Sequence, residues 1–285
     1  MAWAELTDVR CYYELLGDGE PVLLIPGLGT TCRLWDPVAP ELAAFFSLVL
    51  PDNRGVGRSV PRRKPTSLAD LVADLVELLD ELQLDRTHVM GISLGGVIAQ
   101  RLAVEHPGRV DRLVLVSCAG RFSPYLRQVV GLLGHTLRRF PKEMFVRTME
   151  LLGTSPEYHD AYPERVDERV KAKCGLGVSA AALATQLRCL SCGEIDPRDY
   201  HITSPTLVVA GEHDPLIPSC YSRRMADTIP GSRFVLIPGA GHNPLVEYPE
   251  RVLPHVIHFL RGDGAEHEPR GGERAGATAY YLNSI

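Results

Sequence analysis

Nowhere in the 285 residues is there an apolar run approaching the roughly 18–20 residues of a membrane-crossing helix, so no spanning segment is expected. A basic excess is also missing. The 30 Lys and Arg are outnumbered by 35 Asp and Glu, a formal net charge of −5, which argues against a nucleic-acid partner. Residues 1–8 carry acidic side chains and no basic-then-apolar pattern, so a secretory leader is not expected and cytoplasmic residence is. The seven cysteines are odd in number and scattered, which does not make a disulfide framework. Cys189 and Cys192 form a Cys-x-x-Cys, but no second such pair and no His-x-x-x-His stands nearby to complete four zinc ligands. Two free thiols are expected there, and no metal and no organic cofactor overall.

What is present suits an ordinary globular chain, 45% hydrophobic and 23% charged. The length fits two small domains or one large α/β domain with an insertion. Short apolar runs alternate with helical patterns, which reads as β-α-β units around a mostly parallel, doubly wound sheet. Strands are expected at 21–26, 46–51, 87–90, 112–117, 206–210 and 234–237. The clearest helix is 67–84, with Leu, Val and Ala at three- and four-residue spacing and Ser67 able to cap its start. From 121 to 203 the rhythm breaks into amphipathic helical patterns, for example 125–140 and 180–190. That stretch is expected to be a helical cap inserted before the last strands, over a core of 1–120 and 204–261. Residues 262–285, rich in Gly, Glu and Arg, read as a disordered tail.

Chemistry concentrates at Gly91-Ile92-Ser93-Leu94-Gly95-Gly96, between an apolar run and a helix-like run. A serine flanked by glycines on a strand-to-helix turn matches the nucleophile elbow Gly-x-Ser-x-Gly. Three more stretches follow expected strands: Pro26-Gly27-Leu28-Gly29, Gly211-Glu212-His213-Asp214 and Gly239-Ala240-Gly241-His242. A fourth, Asp52-Asn53-Arg54-Gly55-Val56-Gly57-Arg58-Ser59, reads as a turn beside the site, with Asp52, Arg54 and Ser59 securing it.

In their order and placement these motifs resemble the α/β-hydrolase family over roughly residues 12–261, the cap being the least matched part. The resemblance implies a Ser93–His242–Asp214 triad, with the backbone N–H groups of Leu28 and Leu94 as oxyanion donors. Pro26 stands where the family usually has a histidine, so the local support of that loop is expected to differ. The implied activity is a serine hydrolase acting on a small or medium carboxylic ester or lactone, similar to 3-oxoadipate enol-lactonases and small carboxylesterases. A thioesterase is not separated from these. A carbon–carbon bond hydrolase or lyase on the same triad is one alternative. A ligand-binding protein with a vestigial triad is another.

Several other residues invite a role. Asp214 also suits an Asx-turn, and Glu212 is its local rival. His213 reads as a surface or supporting residue, and His106 as a helix end. His88 reads as packing, and His255 and His258 as residues of the last helix, distant from the strand ends. In the cap, Arg121, Arg127, Arg138, Arg139, Lys142 and Arg147 outnumber Glu143 and Glu150, which reads first as a solvated helix face and secondly as a basic rim for an acidic substrate or carrier. Val129, Val130, Leu132, Leu133 and Leu137 are expected to form the cap's inner apolar face.

Overall fold

The computed structural model describes residues 2–62, 67–192 and 201–262, so the expectation for residues 263–285 lies outside the described residues, as does the Cys192 side chain. The strands are β1 (Ala2–Glu5), β2 (Val9–Leu16), β3 (Glu20–Ile25), β4 (Phe46–Pro51), β5 (Val60–Pro61), β6 (Thr87–Ile92), β7 (Val110–Val116), β8 (Thr206–Gly211) and β9 (Arg233–Ile237). They form one sheet in the order β1-β2-β4-β3-β6-β7-β8-β9, with β5 pairing β2. From β4 through β9 all neighbours are parallel, while β1, β2 and β5 pair antiparallel at one end. Each strand expected from sequence is present. The antiparallel extension was not anticipated: β2 places Cys11, Tyr12 and Tyr13 consecutively in buried positions, without the clean alternation that marks a half-buried strand.

Consecutive residues of the central strands serve opposite faces, as a period of two requires. Leu23 and Ile25 enter the core formed with Leu68, Leu71, Ile98 and Leu102, whereas Val22 and Leu24 enter the one formed with Trp35, Leu42, Val252 and Phe259. Burial on both sides explains why these strands read as nearly continuous apolar runs.

The covering helices are α1 (Ala39–Ala43), α2 (Leu68–Glu81) and α3 (Leu94–Glu105). Then come α4 (Pro124–Arg139), α5 (Lys142–Leu151), α6 (Pro156–Ala161), α7 (Pro163–Gly175) and α8 (Ala180–Cys192), all between β7 and β8. Finally α9 (Ser219–Thr228), α10 (Pro244–Glu247) and α11 (Pro249–Leu260) close the chain's described part. Helix α2 starts where Ser67 N–H donates to Asp70 Oδ2 at 3.0 Å, one half of a capping box.

Helix α4 corrects one expectation. Leu126, Val130, Leu133 and Leu137 are buried at three- and four-residue spacing, but Leu132 is 63% exposed. It is the immediate neighbour of Leu133 and therefore points off the stripe.

Candidate active site

The turn between β6 and α3 places Ser93 at φ 55°, ψ −117°, a left-handed conformation rare outside glycine. Its N–H donates to Val116 O of β7 at 2.9 Å, fixing the turn on the neighbouring strand. The flanking glycines have steric reasons. A Cβ at Gly91 would fall on the Gly95 backbone, one at Gly95 on the Ile25 carbonyl, and one at Gly96 on the Cys118 side chain. As first residue of α3, Leu94 presents an N–H with no partner inside the helix.

Asp214 and His242 arrive from the loops after β8 and β9. Asp214 Oδ1 accepts from Leu216 N–H at 2.9 Å and from Ile217 N–H at 2.8 Å. Its Oδ2 stands 2.8 Å from His242 Nδ1, so the same carboxylate makes the Asx-turn and orients the imidazole. Both side chains are buried. Glu212 is engaged elsewhere, accepting from Gly239 N–H at 3.0 Å, and exposed His213 faces Glu157. His88 lies between Glu20 and Asp111 at 3.2 Å from each, and His106 ends α3.

The loop after β3 is held from two sides. Asn53 Nδ2 donates to Pro26 O at 3.1 Å, and Gly29 N–H, at φ +65°, donates to Gln186 Oε1 of α8 at 2.8 Å. Asp52 accepts from Cys32 N–H and Arg58 N–H, and Ser59 Oγ bridges Tyr12 N–H and Asp52 O. Arg54 turns away from the site to pair with buried Asp74. With Pro26 in place of histidine, the support of this loop therefore passes to Asn53 and Gln186.

Ser93 and His242 line one cavity together with Gly27, Leu28 and Gly29. A second, apolar space also reaches Ser93, Leu28 and Leu94, and is walled by Phe122, Leu126, Val130, Leu133, Leu216 and Ile217. Cys118 lines this space, but burial pushes its thiol well above the ordinary range and keeps it neutral. Cys189 is buried. Among the described residues no cluster of His, Cys, Asp and Glu could hold a metal ion.

The six cap cations do not form a rim as a unit. Arg121 and Arg127 line a separate cleft with Arg224, and Arg147 pairs with Glu143 and Asp167. Arg138 and Arg139 are exposed at the end of α4. Of the six, Lys142 alone lines the cavity at Ser93.

Two positioning residues had escaped the sequence reading. Gln186 carries no motif that could have found it. Glu247 accepts from Gly241 N–H at 3.0 Å and Ser155 N–H at 2.8 Å, tying the histidine loop to the start of α6. A carboxylate five residues past a candidate base was a usable signal.

Glu150, on α5, is buried and bound to Arg169 Nε and Lys173 Nζ. Burial pushes its carboxyl up, but the Lys173 ammonium and Arg169 guanidinium outweigh burial and hold it below its ordinary 4.5. The unfolded chain then binds this proton more tightly than the native one. The contribution to stability is full above the ordinary carboxyl value and fades as pH falls through the native value. Glu150→Gln is expected to destabilise the fold, by less than the roughly 3–5 kcal/mol of a fully buried pair, because it leaves two partly buried cations without their counter-charge. It should also flatten the acid side of the stability curve, and urea melts between neutral and acid pH check both effects.

A family model described as the alpha/beta hydrolase fold matches residues 20–249. The "Putative carbamate hydrolase RutD" of Caulobacter sp. (strain K31) is 31% identical over 259 residues, covering 89% of this chain and 97% of its own length. A hydrolase from Pseudomonas aeruginosa PA01 superposes with a TM-score of 0.82 at 28% identity, covering 91% of this chain and 97% of that one. The enol-lactonase from Burkholderia xenovorans LB400 superposes with a TM-score of 0.83 at 23% identity, over 91% of this chain and all of that one, a likeness of fold.

Proposed function

The chain belongs to the α/β-hydrolase family, and from that premise we propose that it is a serine hydrolase cleaving small or medium carboxylic esters or lactones through an acyl-enzyme. The observation that carries this reading is the 2.8 Å contact of His242 Nδ1 with Asp214 Oδ2, on a histidine that shares its cavity with Ser93. Nδ1–H donates to the carboxylate, which leaves Nε2 as the basic nitrogen.

Ser93 Oγ attacks the carbonyl carbon and its proton passes to His242 Nε2. The oxyanion is met by the N–H groups of Leu28 and Leu94, at the N-terminal end of α3 where its dipole favours negative charge. Collapse of the tetrahedral intermediate expels the alkoxide, which takes the proton from Nε2. Water then repeats the attack on the acyl-enzyme, its proton going to Nε2 and on to Ser93 Oγ. In a lactone the alkoxide stays attached to the acyl group and leaves only with it. The helices α4 to α8 act as a cap, and the apolar space beneath α4 suits the acyl chain. The name of the Caulobacter relative adds a carbamate carbonyl to the candidates.

A fluorophosphonate should add covalently to Ser93, with loss of activity in proportion to labelling, alongside turnover of p-nitrophenyl esters from acetate to decanoate and of a lactone panel. Labelling at another residue would reject Ser93 as nucleophile. No label and no turnover of any ester or lactone would reject the hydrolase reading.

A further inference from the structure

The cavity at Ser93 continues into a groove between the loop after β3 and α7, the two sharing Thr30, Leu34 and Lys173. No Asp or Glu lines either space among the described residues, whereas Lys142 and Lys173 line the cavity and Arg33, Arg169 and Lys173 line the groove. Such a lining concentrates positive potential in a low-dielectric cleft.

The charges behind this surface do not cancel it. Among the described residues Glu150 is the one carboxylate bound to Arg169 and Lys173, and each of its oxygens is committed, one to each cation. Arg169 Nη2 remains buried without a hydrogen-bond partner among the described residues. Lys142 Nζ meets the Cys174 carbonyl at 3.2 Å and has no carboxylate within ion-pair distance among the described residues. Lys142 is also the first residue of α5, the end of a helix dipole that disfavours a cation. Arg169 and Lys173 thus share one carboxylate while Lys142 has none in reach among the described residues, and two of the three cations, Lys142 and Lys173, line the cavity with Ser93.

We propose that α5 and α7 form a subsite for a carboxylate, so that the preferred substrate is an ester or lactone carrying a singly charged carboxylate. Its carboxylate faces Lys142, Lys173 and Arg169 while its reacting carbonyl lies at Ser93. A desolvated ammonium or guanidinium gains a charge-assisted contact that a neutral substrate cannot give. This subsite rests on the hydrolase reading above.

The test compares p-nitrophenyl hydrogen glutarate with its neutral methyl ester, each kcat/KM divided by the ester's own hydroxide rate. The wild type is expected to favour the anionic ester by about tenfold, the order of one hydrogen bond to a charged group. In Lys142→Gln this preference should collapse, through KM, while Lys142→Arg keeps most of it. A wild-type ratio near one, or a Lys142→Gln ratio equal to wild type, overturns the subsite. A binding readout separates this from the fate of the hydrolase reading. Glutarate, and not dimethyl glutarate, should raise the melting temperature of the wild type and not of Lys142→Gln. If no ester is turned over yet glutarate stabilises, the subsite survives without the hydrolase. If glutarate and dimethyl glutarate act alike on the wild type, the subsite is rejected, whether or not the variant folds.

Discussion

Ser93→Ala is expected to lower kcat by about 10⁶ with KM changed only a few fold, the loss seen when a triad nucleophile is removed. Binding surfaces around the cavity are untouched, and alanine occupies φ 55° no worse than serine does, so the melting temperature should stay within a degree or two of wild type. The residual rate would come from the oxyanion donors and from binding, about 10³–10⁴ over water. Steady-state kinetics beside a thermal melt measure both quantities. A variant keeping more than a few per cent of kcat would move the nucleophile elsewhere. Cys118, the nearest thiol in the apolar space, is a poor rival because burial holds it protonated.

Asp214→Asn should cost about 10⁴ in kcat, for a different reason. Asparagine can keep its oxygen on the Leu216 and Ile217 N–H groups. Its amide nitrogen then faces His242 Nδ1 and donates to it, which moves the ring proton to Nε2 and removes the base. The fold should be retained and the chemistry lost. A drop smaller than tenfold would mean that something other than Asp214 sets the tautomer. Glu212 is not placed for that, since its carboxylate is spent on Gly239.

Glycine explains how much of the site was legible in sequence. A Cβ at Gly91, Gly95, Gly211 or Gly241 would collide with backbone, so these turns tolerate little else and mark the ends of β6, β8 and β9. Ser93, Asp214 and His242 could be chosen because each lies beside such a marker, and the parallel strands were legible as unbroken apolar runs. Contacts between distant helices leave no such mark. Gln186 and the Glu150 cluster depend on how α5 to α8 pack, and nothing in their local spacing records it. The charge count over 121–150 could not separate a solvated face from a rim for the same cause. It gave the number of cations but not the side of the helix, and only Lys142 of the six faces Ser93's cavity. The missed β1 and β2 are edge pairings, where burial is uneven and the periodic signal correspondingly faint.

Two of those long-range contacts bear on how this chain could be re-engineered. Gln186 of α8 takes the Gly29 N–H, and Glu247 takes N–H groups from both Gly241 and Ser155. The helices between β7 and β8 are therefore fastened at one point to the loop carrying Leu28 and at another to the loop carrying His242. Swapped wholesale for the equivalent block of another hydrolase, they would not behave as an interchangeable cassette. A graft would need an acceptor at the place of Gln186 and an unblocked amide at the place of Ser155, or the loops carrying Leu28 and His242 would both be left slack on an intact sheet.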